Sequence, residues 1–222
     1  MLHFFAKYKF FAAVMGILSA IILYFIYGAL NPTPKLPVYQ PNMVNAELVD
    51  TTVQYIRKYH TIADFALANQ NGEIITQNNY KDKIYIADFF FTTCPTICPI
   101  MTDNMVHLQE ILKDDKDVLL LSHSVTPEID SVPVLKAYAE KKGVNDAKWN
   151  MLTGDKKQIY DLARKSYLVA KDEPYGGDYD MIHTENFVLV DSKRRIRGFY
   201  DGTNWEEMEK LLEDLKILKM EN

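Results

Sequence analysis

Ile84-Tyr85-Ile86-Ala87-Asp88-Phe89-Phe90-Phe91-Thr92-Thr93-Cys94-Pro95-Thr96-Ile97-Cys98-Pro99 decides the fold of this chain. Its first half is a short, nearly continuous apolar run, as expected of a strand buried on both faces. Its second half is a turn that carries the only two cysteines among 222 residues. The residue before a proline avoids the α region, so the spacing predicts Cys98 at a helix N-cap and Pro99 at the first helical position. The helix then runs through Met101, Met105 and Leu108 to Leu112.

Both thiols of such a turn lie near the positive end of the helix dipole, which favours thiolate over thiol. A disulfide across so small a loop removes little chain entropy, so stabilising the fold is a poor reason for the pair. Two close thiolates can hold a soft metal such as Cu(I), or shuttle between dithiol and disulfide. The bland alternative is two small buried apolar side chains. Spacing, the flanking Pro95 and Pro99, and the helix-start position argue against it.

Around this stretch, Asp64–Leu67 and Glu73–Thr76 flank Asn71-Gly72, a hairpin turn signal. Val118–Ser122 is a second buried run, and Phe187–Val190 with Arg195–Phe199 form a closing hairpin about Asp191-Ser192-Lys193. Helical segments alternate with these strands. Ser131–Lys142 has Ser131 as cap and Gly143 as stop, and Asp155 caps Lys156–Ser166 with Gln158 at the reciprocal position. Asn204 with Glu207 repeats that pattern before Trp205–Leu218. The order hairpin, strand, helix, strand, helix, helix, strand, strand, helix predicts an α/β sandwich whose sheet mixes strand directions.

The chain carries 25 Lys and Arg against 30 Asp and Glu, a net charge of -5, with 48% hydrophobic residues. That is a globular composition, and no basic stripe stands out to meet nucleic acid. Phe10–Leu30 has no charged residue, and at about 1.5 Å per residue it matches a hydrocarbon core of about 30 Å. Lys7 and Lys9 precede it and Lys35 alone follows closely, so residues 1–9 are expected in the cytoplasm and the rest outside. The run is too long for a typical signal-peptide core, and Gly28-Ala29 is only a weak cleavage site. No Arg-rich presequence precedes it. The expectation is an uncleaved single-pass anchor over 10–30 in a bacterial inner membrane, with the domain on the periplasmic side. Residues 31–59 open with Asn31-Pro32-Thr33-Pro34-Lys35-Leu36-Pro37, a stiff, extended stalk, and the folded domain is expected over 60–222. Disulfides persist outside the cytoplasm, so the cysteines need a thiol reductant as partner.

Two thiolates rarely complete a metal site, so the five histidines matter. His3 precedes the anchor, His60 begins the domain, and His107 lies too far along its helix to face Cys98 easily. His123 ends a buried strand, the position of a hydrogen-bonded core histidine. His183 follows the turn-rich Pro174-Tyr175-Gly176-Gly177-Asp178 and precedes a strand. That place suits a ligand closing over an ion, with an edge histidine as the alternative. Met101, Met105 and Met181 are polarisable, yet methionine on a helix is more often core filler. Asp172, Glu173, Asp178 and Asp180 read as a solvated loop before they read as a dock for a cationic partner.

The cysteine stretch, with His183-Thr184-Glu185-Asn186-Phe187-Val188-Leu189-Val190-Asp191 far downstream, closely resembles the Sco/SenC family. Asp64-Phe65 with Asn71-Gly72, Tyr138, and Trp149 followed by Leu152-Thr153-Gly154 are similar too, so the likeness runs from the region of His60 to the end. The resemblance implies a thioredoxin-like domain, tethered outside the cytoplasm, that binds copper through Cys94, Cys98 and His183. It also implies assembly of the dinuclear copper site of cytochrome c oxidase, with the copper-receiving subunit as partner. Soft sulfur suits Cu(I) and imidazole nitrogen tolerates Cu(II), whereas a closed zinc site needs a fourth ligand. Two positions depart from the family pattern: Thr96 and Thr126 stand where many relatives are acidic, although Asp130 is near the second. These departures bear on partner recognition and on any outer carboxylate, not on the ligands.

A thiol–disulfide oxidoreductase using Cys94 and Cys98 as its redox pair is the competing function, and a thiol peroxidase is a third. Three residues separate the cysteines, and Ile182-His183 stands where thioredoxin-like reductases carry a cis-proline; both favour copper. A peroxidase of this fold wants an Arg near its reactive cysteine, and none lies between Arg57 and Arg164.

Overall fold

The computed structural model describes residues 8–30, 34–170, 182 and 184–221. The chain divides into two units, Met1–Lys35 and Leu36–Asn222. In the first, α1 (Lys9–Leu30) is the expected apolar helix of 22 residues. Its stretch Lys9–Gly28 has a mean hydropathy of 2.3, long and apolar enough to cross a membrane.

The second unit is built on one sheet: β1 (Ala66–Asn69), β2 (Ile74–Thr76), β3 (Ile84–Phe90), β4 (Val118–Ser124), β5 (Trp149–Thr153), β6 (Asn186–Val190) and β7 (Ile196–Asp201). Their spatial order is β2-β1-β5-β4-β3-β6-β7. β3, β4 and β5 run parallel, so each connection must cross over, and α2 (Ile97–Ile111) and α3 (Val132–Lys142) do so. The hairpins β1–β2 and β6–β7 extend the sheet on either side, β1 antiparallel to β5 and β6 antiparallel to β3. α4 (Lys156–Asp161) continues into a wider-wound turn at Leu162–Ser166, and α5 (Trp205–Glu221) follows β7. The mixed sheet flanked by helices is the expected one.

Every residue of β3 is buried, because alternate side chains enter opposite layers. Phe90 meets Tyr138 of α3, ring centroids 5.8 Å apart, while Phe89 turns the other way and stacks on His123 at 5.0 Å. α2 packs against α3 and α5 and buries Met101, Met105 and Leu108 at helical spacing. The two methionines are core filler. Each fully buried side chain of this size contributes about 1.5–3 kcal/mol.

Three expectations are corrected. β5 is absent from the sequence-based order because Asn150 breaks its apolar run. The structure satisfies that amide with Asn69 Nδ2, which donates to it at 3.0 Å, and with Tyr80 Oη, which accepts from it at 3.0 Å. α2 starts at Ile97 with Thr96 as N-cap, so Cys98 lies inside its first turn. Pro99 costs no helical hydrogen bond there, since the first N–H groups have no partner within a helix. Finally, Leu36 to Tyr59, placed by the sequence in a stalk or linker ahead of the folded domain, belongs to the second unit. Arg197 is 2% exposed and donates to the Pro37 carbonyl at 2.9 Å and the Leu36 carbonyl at 2.8 Å. The same guanidinium pairs with Asp191 at 3.1 Å and with Glu221, which also accepts from the Leu36 N–H at 2.7 Å. An irregular segment whose backbone groups find such partners folds as part of the domain.

Candidate metal centre

β3 runs straight into the cysteine turn, and Asp130 pins the start of that turn at Thr92. The Asp130 side chain is fully buried. It accepts the Thr92 N–H at 3.2 Å, the Thr92 hydroxyl at 2.5 Å, the Ser124 hydroxyl at 2.5 Å and the Thr126 hydroxyl at 3.1 Å. The Thr126 departure thus gives the carboxylate one more donor. The Cys94 N–H closes the turn on the Phe91 carbonyl at 3.3 Å.

Both cysteines are free thiols and buried, Cys94 8% and Cys98 3% exposed. Burial opposes ionisation of Cys94, but the N–H groups of Cys98 and Thr96, the Cys98 thiol and the Thr96 hydroxyl converge on its sulfur. Together they bring its pKa down to about 7. The Thr96 hydroxyl lies 3.7 Å from that sulfur, where an acidic residue would repel the thiolate instead. For Cys98 burial prevails and pushes the pKa up to about 12, with Cys94 and Asp88 adding to the effect and the Phe91 backbone opposing it. One sulfur therefore ionises near neutrality while its neighbour donates a hydrogen bond to it. A soft cation placed between them supplies the charge that makes both thiolates.

Asp88 is a site residue that the sequence reading passes over, although a carboxylate inside an apolar strand run is a legible signal. Its Oδ1 is buried without a partner, and burial, partly offset by the Ser122 hydroxyl, pushes its pKa up to about 7. The Tyr138 hydroxyl bonds Thr102 at 2.9 Å, and burial, with Cys98 and Asp88 contributing, raises its pKa to about 12.

His123 is the core histidine of the expectation: its Nε2 lies 3.4 Å from the Tyr167 hydroxyl, and burial lowers its pKa to about 3. His60 Nε2 bonds the Ser166 carbonyl at 2.8 Å, and the His107 ring stands edge-on to Trp205 at 5.3 Å. His183, Met181 and the acidic residues Asp172, Glu173, Asp178 and Asp180 lie outside the described residues, as does His3. Among the described residues no group of three or more His, Cys, Asp or Glu is disposed to hold a metal. The described part of the centre is the dithiol alone.

A mixed sheet flanked by helices, with a cysteine pair where a central parallel strand meets its helix, defines a thioredoxin-like domain. The SCO1/SenC family profile matches residues 53–219. The SCO1 protein homologue of Bacillus subtilis (strain 168) is 33% identical over 159 residues, covering 71% of this chain and 82% of that protein. BsSco, a member of the Sco family of cytochrome c oxidase assembly proteins in which a disulfide switch was identified, matches with a TM-score of 0.58 at 32% identity. That match covers 70% of this chain and 92% of the other. The structure of Bradyrhizobium japonicum ScoI with copper bound matches with a TM-score of 0.55 at 29% identity, over 70% of this chain and 99% of the other. The chain belongs to the SCO1/SenC family.

Proposed function

We propose that this protein is a membrane-anchored copper-binding assembly factor for the dinuclear copper site of cytochrome c oxidase. It carries copper as cargo on Cys94, Cys98 and His183. The observation that carries the reading is the buried dithiol with one sulfur acidified to about 7, in a chain whose copper-bound relative shares its fold. Strand register supports the third donor. β6 pairs antiparallel with β3, so the chain enters β6 at the end of the sheet where β3 leads to Cys94. Two thiolates and an imidazole accommodate both Cu(I) and Cu(II), and release needs only exchange of these donors for those of the receiving subunit. α1 is the single-pass anchor, residues 1–9 are cytoplasmic, and the domain works on the extracytoplasmic side, where a thiol reductant keeps the pair open.

A chelator competition titration tests the ligands. Cys94→Ser or Cys98→Ser is expected to abolish tight binding, because hard oxygen replaces soft sulfur. His183→Ala is expected to weaken Cu(II) more than Cu(I), which two thiolates hold by themselves. An unchanged Cu(II) spectrum in that variant would remove His183 from the site.

The unequal thiols favour a second reading, a thiol–disulfide oxidoreductase. Here the Cys94 thiolate attacks a disulfide of the recipient and Cys98 then displaces the reduced recipient, leaving a Cys94–Cys98 disulfide. No imidazole takes part. A His183→Ala strain that accumulates folded protein should lose oxidase copper loading under the first reading and keep it under the second.

A further inference from the structure

Val38, Arg57, Lys58, Tyr59, Lys193 and Arg195 line a surface groove of about 510 Å³. Arg195 is neutralised by the buried Asp191 at 2.7 Å, and the neighbouring Arg194 by Asp64 at 2.6 Å. Among the described residues, the side chains of Arg57, Lys58 and Lys193 have no ion-pair or hydrogen-bond partner. On a chain of net charge -5 this is a local reversal of sign.

The tyrosine beside these cations is unusual as well. Tyr59, in the groove wall, is 94% exposed, with Tyr55 four residues earlier in sequence 76% exposed, and Tyr59 is held at φ 65, a left-handed backbone that a bulky residue adopts only under constraint. The constraint is visible. His60 is buried, its N–H donated to Gln40 Oε1 at 3.0 Å and its ring bonded to Ser166, which turns the preceding tyrosine outward. An amphipathic ring thrown into solvent next to free cations is the side-chain combination found at membrane interfaces. Position agrees. Val38, in the groove wall, follows Leu30, the last residue of α1, by eight residues, a length that spans no more than about 28 Å.

We infer that this groove is a docking face for anionic phospholipid headgroups, which holds the domain against the membrane that anchors it. The inference rests on α1 being the anchor. Each free cation adds about fivefold to the docked population at an anionic surface, and salt screens that gain.

The test uses the full chain in nanodiscs of phosphatidylcholine, with or without phosphatidylglycerol. Amide hydrogen exchange is followed over residues 55–60 and 193–195, with α2 as internal reference. Exchange is expected to slow several-fold in the anionic discs and to recover in high salt. The slowing should vanish in Arg57→Glu/Lys58→Glu, whose thermal unfolding serves as the folding control. The comparison of lipids on the unaltered chain decides the matter even where that variant misfolds. Equal exchange in both lipids, in a chain that resists carbonate extraction, would overturn the inference and leave the anchor standing. Release by carbonate would overturn both. Slowing by soluble polyglutamate but not by anionic discs would overturn it in favour of an acidic protein partner.

Discussion

Alkylation of the reduced chain by iodoacetamide, resolved by peptide mass spectrometry across a pH series, should strike Cys94 long before Cys98. Near pH 7 about half of Cys94 is thiolate, against a few per cent for an ordinary cysteine, a gain of roughly fifteenfold. A more acidic thiol is also a weaker nucleophile. With a Brønsted slope of about 0.4–0.5 the lowered pKa forfeits roughly fivefold, so the net advantage at equal access is only about threefold. Selectivity within the pair is the sharper readout. Cys98, at about 12, is roughly 10⁵-fold less ionised at that pH, and its greater intrinsic nucleophilicity recovers about two orders of magnitude. Cys98 should therefore react slower by more than a hundredfold, and the Cys94 rate should reach half its plateau near pH 7. Comparable rates at the two cysteines, or a Cys94 midpoint above about pH 8.5, would refute the assignment of the donors that acidify it.

Thr96→Asp puts a carboxylate where a hydroxyl now faces the Cys94 sulfur, and the midpoint of that alkylation curve should move upward; an unmoved midpoint would exclude Thr96 as a donor. Asp88 has a raised folded pKa, so the folded state keeps a proton that the unfolded chain releases between about pH 4 and 7, and stability falls as pH rises through that window. Asp88→Asn removes this penalty and should gain about 2–3 kcal/mol relative to the unaltered chain between about pH 5 and 8 in guanidinium melts, whereas a pH-independent difference would contradict the account. Asp130→Ala strands the Thr92 N–H and three hydroxyls and should cost about 3–5 kcal/mol, with weaker copper retention; a loss below about 1 kcal/mol would show that the cysteine turn stands without it.

The strand–turn–helix about the cysteines is legible in sequence because its signals are local: an apolar run, two cysteines, a proline in the first helical turn. The Gly143 stop, at φ 73, and the Asp155 cap, which accepts the Gln158 N–H at 2.7 Å, are legible for the same reason. β5 is not, since Asn150 is tolerated only because Asn69 and Tyr80 come from distant parts of the chain to meet it. The segment from Leu36 to Tyr59 is equally opaque: its start is held largely through backbone groups that any residue would supply, and the partners that meet them, Arg197 and Glu221, lie far along the chain. At the site, the dithiol and its helix-start setting are readable from spacing, whereas the inequality of the two sulfurs is not. That inequality arises from depth of burial and from which donors face which sulfur.

The grip of Arg197 on Leu36 and Pro37 shortens the leash. Between Leu30 and Leu36 stand five residues, two of them proline, which reach no further than about 20 Å in any conformation. With α1 as the anchor proposed above, this length limits how far Leu36 can stand from the end of the membrane helix. Within that reach a membrane-bound recipient is met at a local concentration set by its own areal density and raised as the reach shortens. A diffusing recipient gains nothing from such confinement. Under the proposed function, the clamp would favour recipients that share the membrane over those that diffuse freely.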